Sequence, residues 1–168
     1  YDDEGVRGRR TSTCKNGILV GLMHSRETAA LLGATPNGCM KATDPAYVPL
    51  VRMPNTYVLA GASSPQAILR SVRDGWYVCG HRTPSIAESR ENFTITARRT
   101  YRVRDGRPTA LYRGGGLTGD TAAFWHSIDR VGTDLQVFGI PNCGKGAPMQ
   151  TCPVGNGGPT LRGRARIV

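Results

Sequence analysis

The chain has 168 residues, 39% of them hydrophobic, and a formal net charge of +10. Its length fits one domain. Its apolar content, counted with the 22 glycines, excludes a disordered chain. No apolar run approaches the roughly 18 residues that would cross a bilayer. The 22 Lys and Arg against 12 Asp and Glu favour an anionic partner, but no block of five or six like charges is present, so an acidic protein explains the charge at least as well as nucleic acid.

The first half of the chain predicts short elements joined by turns. Asn16-Gly17 lies between β-branched or apolar residues and predicts a tight hairpin, because both residues tolerate positive φ. Ser25 predicts the N-cap of a helix over residues 26–32, and Ser64-Pro65 predicts the start of a second helix that ends before Gly75. Two strands are predicted, over residues 56–60 and 76–79.

Residues 93–104 predict the longest strand. Apolar residues occupy most odd positions and polar residues the even ones, which is typical of an antiparallel strand with one solvated face. Arg99 is the exception on the apolar face, where its stem either snorkels at an edge or marks a cleft. Asp105-Gly106 predicts a turn into a partner strand over residues 109–113.

The last third predicts one helix and then little regular structure. Asp120 predicts the N-cap of a helix through residue 130, while the Gly and Pro content after Val137 predicts no long element. The fold class is therefore α+β, a mainly antiparallel β-sheet with two or three short helices.

Cysteine and histidine spacing exclude several common sites. The number of Cys is odd and the acidic N-terminal residues are not followed by the apolar h-region of a signal peptide, so we expect a cytoplasmic protein without a disulfide framework. No CxxC is present, which excludes a zinc finger. Residues 139–146 approach a P-loop, but Gly146 replaces the required Ser or Thr and Pro148 prevents the following helix. Cys143 is the candidate functional thiol, because its Gly/Pro-rich segment can leave it exposed and Lys145 is near.

Several motifs occur in the order of a known family. The sequence resembles the C-terminal region of the TldD/PmbA family, once called modulators of DNA gyrase, and specifically its TldD side. The motifs are Asp2-Asp-Glu-Gly5, Asn16-Gly-Ile-Leu19, Arg52-Met-Pro-Asn-Thr-Tyr57, Leu59-Ala-Gly61, Gly132-Thr-Asp-Leu135, Cys143-Gly-Lys145 and Pro153-Val-Gly-Asn-Gly-Gly-Pro-Thr-Leu161.

The resemblance implies that residues 1–168 form a single C-terminal domain of TldD/PmbA type in a zinc-dependent peptidase. In that family the zinc ligands are two His of an HExxxH helix and a Cys near the C-terminus, and Cys143 matches that Cys. The HExxxH motif is absent here, so the general base Glu is expected on another fragment and no catalytic residue on this chain. The implied partners are that N-terminal fragment, a TldE/PmbA-like subunit that encloses a cavity with it, and a peptide or small amide substrate.

Residues 79–88 depart from the Gly-rich segment that TldD proteins tend to carry. His81 and Arg82 are candidate substrate-binding residues in this segment, since Arg pairs well with a carboxylate; a rewired surface loop is the alternative. Because some relatives act in antibiotic biosynthesis, a second hypothesis is cleavage of a C–N bond in a small conjugate. A third hypothesis is a non-catalytic TldE-like partner subunit, against which the presence of Cys143 argues. A fourth is a basic protein that binds nucleic acid.

Overall fold

A computed structural model describes all 168 residues. The fold is mainly antiparallel β-sheet with three short helices, which confirms the predicted class. The helices are α1 (Arg26–Leu31), α2 (Pro65–Arg70) and α3 (Thr121–His126). The strands are β1 (Cys14–Lys15), β2 (Ile18–Leu19), β3 (Met40–Lys41), β4 (Leu50–Val51), β5 (Thr56–Tyr57), β6 (Asp74–Ile86), β7 (Asn92–Arg104), β8 (Arg107–Tyr112), β9 (Gly116–Asp120), β10 (Arg130–Val131), β11 (Gln136–Lys145), β12 (Gln150–Gly158), β13 (Leu161–Arg162) and β14 (Arg166–Ile167).

The chain divides into two compact units, each made of two segments. The first unit contains residues Tyr1–Val58 and Gln136–Gly157, and the second contains Leu59–Leu135 and Gly158–Val168. That residues 1–168 act as one domain stays a prediction. None of the three helices, each six residues long, has the length and apolar character needed to cross a membrane.

The second unit contains a five-stranded antiparallel sheet. β6 pairs along one side of β7, while β8 and β9 share its other side and β14 extends the sheet beyond β9. Phe93, Ala97 and Val103 are buried on the predicted apolar face of β7, and Arg99 is exposed. Thr100, on the face predicted to be solvated, is also buried, because the main chain at Gly115 covers it.

The turn between β7 and β8 is attached to the end of α2. Asp105 and Gly106 have φ values of 46° and 74°, as the predicted hairpin requires. The amide of Asp105 donates to the carbonyl of Arg73 (2.7 Å) and that of Gly106 to the carbonyl of Val72 (2.8 Å). A Cβ at position 106 would lie 2.7 Å from the Cα of Arg70, so the site admits only glycine without movement.

Each helix begins where its capping residue predicts. Ser25, Ser64 and Asp120 each accept a hydrogen bond from an amide in the first turn of the helix that follows. The third helix is shorter than predicted and ends at His126. The amide of Asp129 donates to the carbonyl of Arg162, and β10 pairs with β13, so these residues form strand pairing in place of the expected helix turn.

In the first unit, β12 lies between β11 and β5. The expectation of no long element after Val137 is wrong, since β11 has 10 residues and β12 has 9. β5 pairs with β12 only at Asn156 and Gly157, so Pro153 faces no strand on that side and its missing N–H costs no ladder bond there. The same limited pairing keeps β5 short and exposed, in contrast to the buried strand predicted over residues 56–60.

Two short hairpins complete the first unit. β1 and β2 join through Asn16 and Gly17, whose φ values of 53° and 77° confirm the predicted turn. β3 and β4 form an antiparallel pair in which Met40 lies opposite Val51.

Candidate metal-ligand site

Cys143 lies on β11, close to the end of that strand at Lys145. The residue is half-buried and forms no disulfide. Its carbonyl oxygen accepts a hydrogen bond, but its Sγ atom makes none within the chain. The thiol is therefore held on an ordered strand with its lone pairs uncommitted, as a metal ligand from this chain would have to be.

Arg52 binds the main chain on both sides of the hairpin that carries Cys143. Its side chain is 2% exposed and lies just after β4. Nη2 donates to the carbonyl of Cys143 on β11, and Nη1 donates to the carbonyl of Gln150 on β12 at 2.9 Å. The Arg52 amide donates to the carbonyl of Cys39 at 2.7 Å, so its own backbone is fixed as well.

Further side-chain bonds hold the hairpin against β4 and the segment before it. Lys145 Nζ donates to the carbonyl of Val51 at 2.7 Å. Gln150 is buried, with its Oε1 accepting from the amide of Thr43 (3.2 Å) and its Nε2 donating to the carbonyl of Val48 (3.0 Å). The position of the hairpin is thus set by polar contacts and not by strand pairing alone.

Of the other four thiols, Cys14 is exposed, Cys79 is half-buried like Cys143, and two are buried. Cys39 and Cys152 are each 3% exposed and pack in the first unit, as simple packing predicts for Cys152. Burial raises the pKa of the Cys39 thiol, and the nearby Asp2 carboxylate raises it further, while Lys41 partly opposes both. A thiol in that state is a poor nucleophile and a poor ligand.

The donor set fits one zinc ligand and not a complete site. No group of three or more His, Cys, Asp or Glu side chains is placed to hold a metal ion. A single thiolate is a ligand that zinc accepts, but zinc in proteins takes about three or four protein ligands. Any zinc bound through Cys143 would therefore need ligands from outside residues 1–168.

His81 and Arg82 lie on β6 in the second unit. Both are exposed, and the pairing of β6 with β7 shifts register between His81 and Pro84. The segment is therefore a bulged strand and not a loop. Beside the shift, the amide of Thr83 donates to Thr96 Oγ1 at 3.0 Å, which fixes the backbone and leaves the two side chains facing solvent.

An open groove of about 640 Å³ in the second unit was not predicted from the sequence. Along it, Arg162 binds Asp129 with two bonds, Nε to Oδ1 at 2.7 Å and Nη2 to Oδ2 at 2.6 Å. The hydrogen bonds from Arg162 lower the pKa of Asp129, and burial opposes this effect. Nη1 of Arg162 also donates to Ser71 Oγ, so each of the three guanidinium nitrogens donates at least one hydrogen bond within the chain.

Comparison with known proteins decides the family. The family model described as PmbA/TldA metallopeptidase C-terminal domain matches residues 1–165. The chain belongs to this family. A metalloprotease of Methanothermobacter thermautotrophicus is 36% identical over 168 residues, which cover 100% of this chain and 36% of the relative. A zinc metalloprotease TldD homolog of Saccharolobus solfataricus is 32% identical over 166 residues, covering 96% of this chain and 36% of the relative.

Solved structures support the fold of this PmbA/TldA domain. TldE from Thermococcus kodakarensis superposes with a TM-score of 0.76 over 98% of this chain and 34% of that one, at 19% identity. A protein described as a putative modulator of a DNA gyrase, from Thermotoga maritima, gives 0.75 over 100% of this chain and 35% of that one, at 20% identity. At these identities the likeness establishes the fold, which agrees with the resemblance inferred from the motifs.

Proposed function

We propose that the chain is the C-terminal part of a zinc-dependent TldD-like hydrolase that cleaves peptide or amide bonds, and that Cys143 supplies one zinc ligand. Membership of a metallopeptidase family and the metalloprotease names of the relatives support the class of activity. The observation that carries the proposal is the half-buried Cys143 thiol, which is unbonded while its own carbonyl is held by Arg52.

In this proposal Cys143 contributes a charged sulfur ligand, and the segment with the HExxxH motif contributes two imidazoles and the general base. Zinc, when bound, supplies Lewis-acid polarisation of the scissile carbonyl. The residues of this chain hold the sulfur in place and keep the hairpin rigid around it. The chain covers 36% of the length of its relatives, so the remaining groups belong to the part of such proteins that lies outside this sequence.

His81 and Arg82 are the proposed substrate contacts. Their side chains face solvent on a strand whose backbone is fixed, and a guanidinium pairs with a carboxylate such as that at the end of a peptide. The proposed partner is a TldE/PmbA-like subunit that forms a cavity with the TldD-like one, in the cytoplasm. The likeness in fold to TldE is consistent with two subunits of related architecture.

Two alternatives use the same residues. The departure from the family pattern at residues 79–88 favours a small conjugate from antibiotic biosynthesis as substrate, with the same site breaking a C–N bond. A non-catalytic TldE-like role would make Cys143 dispensable. The zinc content of the protein separates this last alternative from the other two.

The test replaces Cys143 in the complete polypeptide, purified with its partner subunit. Cys143→Ala is expected to lose bound zinc and peptide hydrolysis, whereas Cys152→Ala, a matched change of a buried thiol on β12, is expected to keep zinc. His81→Ala and Arg82→Ala are expected to raise KM with zinc content unchanged. Full zinc content and full turnover in Cys143→Ala would contradict the proposal.

A further inference from the structure

We propose that Arg52 is a positioning residue for Cys143, because its guanidinium orients the peptide unit from which the thiol projects. The inference rests on the proposed function of Cys143 and adds to it the residue that sets the geometry of the ligand. It stands on the contacts of Arg52 with both strands of the β11–β12 hairpin.

The two bonds of Arg52 join the end of β4 to both strands of a hairpin that is distant in sequence. Its partners Cys143 and Gln150 are 91 and 98 residues away and lie on different strands of the hairpin. Because the guanidinium is planar with donors at fixed angles, binding both carbonyls fixes β11 and β12 together against the end of β4. A lysine at this position has one ammonium on a flexible stem and does not reproduce this geometry.

The burial of Arg52 shows that the charge has a specific role. The residue forms no ion pair, since the ion pairs of the chain join Asp74 with Arg102 and Arg104, and Asp129 with Arg162. Removing a cation from water without an anion is costly, and only its hydrogen bonds offset that cost.

Orienting the carbonyl of Cys143 also restricts its sulfur. The carbonyl carbon and Cβ share one Cα, so fixing the main chain at Cys143 fixes the direction of its Cα–Cβ bond. Sγ then has only the three staggered χ1 positions about that bond. A thiolate must lie about 2.3 Å from zinc, with a tolerance of roughly 0.2 Å. Groups that orient a ligand therefore affect metal affinity without touching the metal.

Other contacts hold the same hairpin without touching the Cys143 peptide. Lys41 Nζ donates to the carbonyl of Pro153 on β12 at 3.3 Å. Removing this bond perturbs the hairpin but leaves both bonds of Arg52 in place. Lys41→Met is therefore a matched control, in which a cation bound to a hairpin carbonyl is lost away from the thiol.

The experiment loads the complete polypeptide with Co²⁺ in place of zinc and follows the thiolate-to-cobalt charge-transfer absorption during titration against a competing chelator. Arg52→Lys and Arg52→Gln are expected to bind Co²⁺ about 10- to 100-fold more weakly and to alter the band. Lys41→Met is expected to keep the wild-type affinity and band. Circular dichroism and thermal unfolding of every variant report the fold separately.

The outcomes distinguish this inference from the proposed function. A band that survives in Cys143→Ser shows that Cys143 is not the ligand, and the proposed function then fails together with this inference. If Cys143→Ser removes the band but Arg52→Lys binds Co²⁺ as tightly as Lys41→Met, only the positioning role fails. Loss of the folded state in both Arg52 variants also overturns it, because Arg52 then serves the fold and not the thiol.

Discussion

Replacing Thr100 by Val is expected to stabilise the protein, the reverse of most substitutions in a core. Thr100 lies at the centre of the sheet, where β7 pairs with β6 and β8, and its side chain is 1% exposed. Its Oγ1 is buried and has no hydrogen-bond partner. A Cβ built on Gly115 would lie 2.7 Å from this oxygen, so the hydroxyl faces main chain at close range.

The expected gain follows from the cost of an unpaired hydroxyl. Burying one without a partner costs about 1–3 kcal/mol in protein mutational data. Valine has nearly the same shape, keeps the β-branched form that suits a strand, and replaces the oxygen by a methyl group. Allowing for the slightly larger methyl, we expect about 1–2 kcal/mol of added stability, which raises Tm by roughly 2–8 °C for a chain of this size.

Thermal and urea unfolding followed by circular dichroism measure the effect. Thr100→Ser is the control, because it keeps the hydroxyl and removes the methyl, and it is expected to cost about 1 kcal/mol. If Thr100→Val lowers Tm, the reasoning is refuted, since the hydroxyl must then have a partner such as an internal water.

The remaining predictions concern the second unit. Gly106→Ala is expected to lower the free energy of unfolding by about 1–3 kcal/mol, because position 106 has φ +74° and an added Cβ would meet the main chain of Arg70. An unchanged midpoint of urea unfolding would contradict this. Since the bond with Arg162 lowers the pKa of Asp129, its contribution is present above the unfolded pKa near 4 and is lost as pH falls through the folded value. Asp129→Asn should therefore flatten the pH dependence of Tm in acid and leave its alkaline limb unchanged; an identical acid limb would argue against a role for the pair.

The turns and helix starts could be predicted because single residues determine them. Asn16-Gly17 and Asp105-Gly106 adopt the positive φ values that few other pairs tolerate, and Ser25 caps its helix through its own side chain. Strands with proline could not be predicted in this way. Pro153 lies in a part of β12 with which β5 does not pair, and the local sequence does not contain that information.

In the candidate site, too, local sequence features could be predicted and long-range contacts could not. Cys143 could be chosen from its Gly/Pro-rich context and the family motifs, and its role, like those of His81 and Arg82, stays a prediction. The contacts of Arg52 could not be derived, since its partners lie 91 and 98 residues away. A charged residue within the apolar run at residues 50–54 was the available signal, and it indicates a buried cation without naming its acceptors.

The interleaving of the two units has a consequence for biosynthesis. A ribosome completes residues 59–135 before it makes the strands that finish the first unit, and the first unit needs residues up to 157. Closing contacts across about 90 residues is slow compared with forming local hairpins. We therefore expect the sulfur of Cys143 to reach its final surroundings late in folding. Because each unit is made of two segments, no single proteolytic cut releases either unit intact.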